Sequence, residues 1–273
     1  MTLASKLFMV SIAVGSLVSC SKEPSYMKTH SGNEAAAENL QLDSKANAVV
    51  IKASGNIDSA LKEFRDLLGN LNTTPGVVGG RREINWDGGP PDLTNNELFP
   101  GDFFAAVDPA LPNGRKRGLV NKTPGRGFSI SDNDFKFIKD NYAEQFEDFS
   151  PLKTFIAVGS TVTDNFFKVP GTNLDATIQG FGVVFSDVNN ASSTSMEFFD
   201  GDRSLGTFKV PNVGNNNPGG FSFLGVYFPN DKVSRVRIIS GSAPLSTDQD
   251  DISDGGGEDL VVMDDFIYSE PTN

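Results

Sequence analysis

Cysteine and histidine each occur once, as Cys20 and His30, in a chain of 273 residues. A single cysteine excludes an internal disulfide. A single histidine, set in a polar stretch near the start, leaves no base for a Ser-His-Asp or Cys-His nucleophile. Zinc chemistry is disfavoured by the same scarcity. Tryptophan and tyrosine are sparse as well, one and four residues against 22 phenylalanines. The aromatic content therefore suits the filling of a core better than the stacking of sugars at a surface. Lys and Arg total 23 against 35 Asp and Glu, a formal charge of -12. That balance repels nucleic acid and anionic membrane surfaces and leaves divalent cations or neutral ligands as better partners. Neither a Walker A loop nor a Gly-x-Ser-x-Gly elbow is present.

What the chain does contain falls into three parts. Met1 to Ser19 reads as an export signal, with Lys6 before the apolar run Leu7 to Val18, which is too short for a membrane span. Leu17-Val18-Ser19-Cys20 resembles the lipobox of bacterial lipoproteins, which implies cleavage before Cys20 and its acylation. The only cysteine then becomes a membrane anchor. Ser21, a non-acidic residue in the next position, favours an outer-membrane lipoprotein, on either its periplasmic or its cell-surface face. Residues 20–45 are polar and lack hydrophobic periodicity, so they read as a flexible tether that also contains His30. Residues 46–273 read as one domain.

Within that domain only one helix is convincing. Ile57, Leu61, Phe64 and Leu68 recur at helical spacing, with Asn56 placed to cap the start and Gly69 the end. Arg81 to Asp87 alternates so as to put Ile84 and Trp86 on one face of a strand. A long Pro- and Gly-rich connection follows, to about Gly114. From Lys153 onward short apolar runs separated by Gly, Pro, Asn and Asp recur regularly, ending in Leu260 to Tyr268. Crossover helices for a parallel sheet are missing. The expected fold is mainly β, an antiparallel jelly-roll β-sandwich with a short N-terminal α-helix.

Several short blocks carry a family resemblance. Gly180-Phe181-Gly182-Val183-Val184-Phe185-Ser186-Asp187, Phe198-Phe199-Asp200, Ser222 to Val226, Val236-Arg237-Ile238 and Met263-Asp264-Asp265-Phe266-Ile267-Tyr268 follow one another in order. With the block Gly80 to Gly88 upstream, this succession is similar to jelly-roll domains of secreted bacterial proteins, including many with PEP-CTERM sorting tails. The resemblance implies a fold and no particular activity. On this reading the lipid at Cys20 takes the place of the sorting tail.

Candidate chemistry centres on acids and on three aromatic rings. Asp264 and Asp265 interrupt the last apolar strand, and buried carboxylates need hydrogen bonds, a base or a metal. In a regular strand they project to opposite faces. Such a domain can hold a structural calcium ion, for which Asp87, Asp187, Asp200, Asp264 and Asp265 are the candidate ligands, with Asp202 as a further companion. The run Asp248, Asp250, Asp251, Asp254, Glu258, Asp259 fails the EF-hand pattern, because Ile252 and Ser253 stand where a ligand and a glycine are required, and reads as a flexible acidic loop. Trp86, Tyr227 and Tyr268 are the rings that could stack on a glycan. The function expected is binding or structural association at a membrane, with a glycan as the specific ligand. The alternative is a carbohydrate-active enzyme using paired carboxylates.

Overall fold

The computed structural model describes residues 41–43, 47–214 and 218–273, and for 41–43 the backbone only. The expected signal segment, Cys20 and most of the tether lie outside these residues. The elements begin with β1 Gln41–Asp43, β2 Ala48–Ser54, the helix α1 Asp58–Leu68 and β3 Arg81–Ile84. They continue with β4 Leu119–Lys122, β5 Gly127–Ser131, β6 Thr154–Val158, β7 Val162–Lys168 and β8 Asp175–Ala176. The last group is β9 Gly180–Ser186, β10 Ser195–Asp200, β11 Arg203–Lys209, β12 Phe221–Tyr227, β13 Arg235–Ile239 and β14 Val262–Ser269.

These strands make two antiparallel sheets. One runs β1-β2-β12-β9-β14-β6-β5, with β3 also paired to β14; the other runs β11-β10-β13-β7-β4, with β8 on β7. Their inner faces meet in one apolar core, where Phe181, Phe185, Leu224 and Phe266 of the first sheet face Phe167, Met196, Phe198 and Ile238 of the second. Burial of each such side chain contributes about 2 kcal/mol before entropy is counted. The two sheets bury their strands differently. β7 alternates between buried and half-buried residues, whereas β9 is buried along its whole length. The difference arises because the outer face of the first sheet is itself covered.

Two covers lie on that outer face. At one end α1 packs Leu61 and Phe64 onto Ile51, Val184, Phe223 and Ile267. At the other, Phe135, Tyr142 and Phe146 pack onto Ile156, Leu260 and Val262. The helix seats because the sheet is bare beneath it. Gly182 and Gly225 are opposite each other across β9 and β12, and a methyl group on either would lie within 2.8 Å of the Phe64 ring. Ile57 rather than Asn56 takes the N-cap position, and Asn56, one residue earlier, accepts a hydrogen bond from the Asp58 amide at 3.1 Å. Gly69 ends the helix at φ 92°, a region other residues rarely adopt, and donates its amide to the Arg65 carbonyl.

Three local expectations change. Gln41–Asp43, inside the segment read as tether, pairs with β2 as an edge strand; its polar composition gives no alternating signal because edge pairing is made by the backbone. The strand from Arg81 stops at Ile84, and Trp86 sits past its end at φ 65°. The long connection after it is no open loop, since Phe99, Phe103 and Phe104 are all buried in the inter-sheet core. Beside β3, Arg82 and Glu270 form a buried bidentate pair at 2.7 Å, with Asn72 donating a further bond to Glu270.

The helix seat gives a direct test. Gly225→Ala is expected to destabilise the domain by about 1–3 kcal/mol through overpacking against Phe64, and Phe64→Leu in the same chain should recover part of the loss. Denaturant unfolding of the two variants measures this. Unchanged midpoints would show that the helix does not rest on the glycines.

Candidate functional site

The acid pair in β14 occupies a break in the strand's pairing. On its β9 side, Met263 is opposite Phe185 but Phe266 is opposite Val183, so three steps on β14 match two on β9. One residue is extra, and the strand bulges there. On its other side β14 changes partner, from β6 at Met263 to β3 from Phe266 onward. The Asp264 carbonyl lies at that change of partner, and it accepts the Trp86 indole N–H at 2.8 Å. The Trp86 ring itself stacks on Phe155, with centroids 3.8 Å apart.

The bulge overturns the expectation that the two acids face opposite ways. Met263 and Phe266 both point into the inter-sheet core, so Asp264 and Asp265 both lie on the outer side, in the seam between the two covers. Both are buried, at 0% and 4% exposure, and neither faces solvent. They converge on one hydroxyl. Ser150 Oγ is 3.0 Å from Asp264 Oδ1 and 2.7 Å from Asp265 Oδ1. Asp264 Oδ2 accepts the amides of Phe149 and Ser150 at 2.7 and 3.2 Å, and Asp265 Oδ2 accepts from Arg65 at 3.2 Å. Arg65 in turn grips Glu83, which Arg81 also binds.

A serine hydroxyl carries one proton, so it can donate to only one of these two carboxyl groups at a time. The remaining short contact needs a proton on a carboxyl. Electrostatics agree: burial, reinforced by the neighbouring Asp265 charge, raises Asp264 well above the usual carboxylate range, and burial also raises Asp265. The pair is thus a proton-holding clamp on residues 149–150. Asp87 extends the clamp by accepting the Leu152 amide and, at 3.0 Å, the Lys153 amide. Glycoside hydrolysis requires two carboxyl groups separated across a cleft by about 5–9.5 Å. Two carboxyls sharing one serine in a buried seam do not have that arrangement.

The other proposed calcium ligands lie elsewhere. Asp187, at φ 70° and fully buried, accepts side-chain amides from Gln145 and Asn189, and burial together with the Asp251 charge lifts it to about 8. Asp200 belongs to the second sheet and pairs with Arg203 at 2.9 Å. The five acids therefore do not surround one ion. Among the described residues no group of three or more His, Cys, Asp or Glu is arranged to hold a metal. The acidic run is likewise anchored at two of its residues, Asp251 and Asp259. Asp251 accepts the amides of Ser253 and Leu260, and Asp259 those of Asn189 and Asn190, each with under 3% exposure. Spacing gives no sign of this, because the amides they bind come from turns and a distant loop.

Of the three aromatic candidates, Trp86 and Tyr268 are fully buried and offer no face to a ligand. Their polar atoms are used inside the protein, Trp86 on Asp264 and Tyr268 on the Arg117 carbonyl at 3.0 Å. Tyr227 differs. It borders a cleft of about 240 Å³ together with Leu68, Gln179, Lys232, Ser269 and Glu270. The Tyr227 hydroxyl makes no hydrogen bond to the described residues, Gln179 and Lys232 are exposed, and the Glu270 charge is already paired with Arg82.

The buried acids set the pH response. A carboxyl raised in the folded chain holds a proton that the unfolded chain releases near pH 4, so its stabilising effect is complete below that point and is lost as pH rises toward about 8. The melting temperature is expected to fall between pH 5.5 and pH 8.5, at a cost of up to about 1.4 kcal/mol per pH unit for each such proton. Asp264→Asn should flatten part of that fall; a slope identical to that of the parent chain would contradict the clamp. No family model, curated protein or solved structure matches the chain.

Proposed function

We propose that the chain is a lipid-anchored extracytoplasmic binding protein whose domain is a jelly roll and whose ligand is a small neutral glycan held beside Tyr227. The anchor reading rests on Leu17-Val18-Ser19-Cys20 at the end of an apolar segment, which fits acylation of Cys20 and an outer-membrane location. The jelly-roll reading is supported by strand order. Taking β6, β7 and β9 to β14 as the eight strands, β6-β14-β9-β12 make one sheet and β7-β13-β10-β11 the other, so every successive pair except the β10–β11 hairpin crosses between sheets, as in two interlocked Greek keys.

The observation that carries the ligand reading is the Tyr227 cleft. Tyr227 supplies a half-exposed ring with an unengaged hydroxyl, Gln179 and Thr177 supply amide and hydroxyl groups, and the one carboxylate there is neutralised by Arg82. Lys232 adds an ammonium donor at the same cleft, and sugars are bound by such a combination of an apolar ring face and hydrogen-bonding groups. Binding rather than turnover is favoured because the acid pair of β14 does not line this cleft.

A panel of neutral glycans offered to protein beginning at Ser21 tests this. Tyr227→Ala is expected to weaken binding about tenfold, and Tyr227→Phe to weaken it less, since the ring provides most of the contact. Release of new reducing ends would overturn the binding reading in favour of an enzyme. Fatty-acid labelling should require Cys20; a Cys20→Ala chain that still labels would contradict the anchor.

A further inference from the structure

The only run of three consecutive basic residues in this acidic chain is Arg115-Lys116-Arg117. Lys116 is buried and donates to the Pro109 carbonyl, but both arginines line a second cleft of about 250 Å³, with Glu83, Asn85, Phe103 and Phe104 among its walls. Their backbones are pinned from three sides. Ala106 donates to the Arg115 carbonyl at 3.0 Å, Arg117 donates to the Phe104 carbonyl at 2.7 Å, and the Tyr268 hydroxyl donates to the Arg117 carbonyl. The last contact makes the closing strand part of the cleft's support.

Each guanidinium group is held by part of its donor set. Arg115 Nε donates to the Phe103 carbonyl at 2.8 Å while its guanidinium carbon lies 3.5 Å from the centre of the Phe103 ring. Arg117 Nε and Nη1 donate to the carbonyls of Gly114 and Glu83 at 3.3 and 2.9 Å. Both terminal nitrogens of Arg115, and Nη2 of Arg117, have no acceptor among the described residues. The one carboxylate in the wall, Glu83, is occupied by Arg65 and Arg81, so it does not cancel this charge. Two oriented guanidinium groups, Arg115 with both terminal nitrogens free and Arg117 with Nη2 free, in a cleft below the size usual for drug-like ligands, are prepared for a small planar anion. The ordering cost of binding is reduced because the side chains are already fixed.

We propose that this cleft is a carboxylate-binding site that takes a monocarboxylate of sugar-acid size, with Arg115 and Arg117 as the carboxylate ligands. A planar carboxylate matches the guanidinium fork. The net charge of -12 opposes approach of polyanions, which sets a single-charge ligand above sulfated chains or nucleic acid. The site is separate from the Tyr227 cleft and does not depend on the glycan reading there.

Titration of the soluble chain with glucuronate and galacturonate, followed through the side-chain N–H signals of its arginines by NMR, tests the proposal. The signals of Arg115 and Arg117 should shift together and saturate, and the affinity should fall as salt is raised. Arg117→Gln is expected to weaken binding about tenfold. Arg115→Lys, which keeps the charge but loses the fork, should also weaken it, while Tyr227→Ala should leave it unchanged. Melting curves establish that each variant is folded, and the wild-type signals alone decide the matter if one is not. Absence of any shift at 10-fold excess over about 1 mM protein, equal binding of glucose, or equal binding of inorganic sulfate would each overturn the assignment.

Discussion

A strand that changes partner halfway leaves part of its backbone without a ladder at the point of change, and in this protein that point is Asp264. The first sheet depends on how the gap is closed. β14 lies at the sheet's centre, with β9 along one side and β6 and then β3 along the other. The carbonyl at the gap takes the Trp86 indole, and Trp86 brings Phe155, Phe266 and Phe104 into edge or stacked contact around it. One hydrogen bond thus joins the sheet's central irregularity to the densest aromatic part of the core.

The same bulge turns two carboxyl groups outward together. Burying both is costly, since an unpaired charge in the interior costs several kcal/mol. The cost is offset by four contacts to Phe149 and Ser150, by Arg65, and by a proton that removes one of the two charges. The consequence is mechanical. Residues 149–153, which run from the cover at one end of the sheet back into β6, are held by Asp264, Asp265 and Asp87, and Arg65 ties the opposite cover to the same point. The acids link the two covers to the strand beneath, and Tyr268, farther along that strand, supports the cleft that contains Arg115 and Arg117.

Much of the sheet structure was legible from period and punctuation. The apolar runs Lys153 to Val158 and Phe221 to Phe228 lie between turn residues, and they contain the strands Thr154–Val158 and Phe221–Tyr227. The helix was legible because Leu61, Phe64 and Leu68 recur at its period, and all three are buried. The site was less legible. A bulge has no sequence signal of its own, so two adjacent aspartates read as opposed when they are in fact side by side. Ser150 and Arg65 lie 115 and 200 residues from Asp265 in the chain, and only the fold brings them together. The aromatic residues misled for a related reason: Trp86 and Tyr268 have polar atoms that suit a surface, but each finds a backbone carbonyl inside.

The Asp264 and Asp265 pair should hold a proton in the folded protein near neutral pH. Side-chain carboxyl carbon NMR measures this directly, with the two signals assigned through the Asp264→Asn and Asp265→Asn variants. Both signals should titrate above the ordinary aspartate range, each responding to the other's ionisation, because burial raises both carboxyls. Two independent midpoints near the ordinary value of about 4 would contradict this.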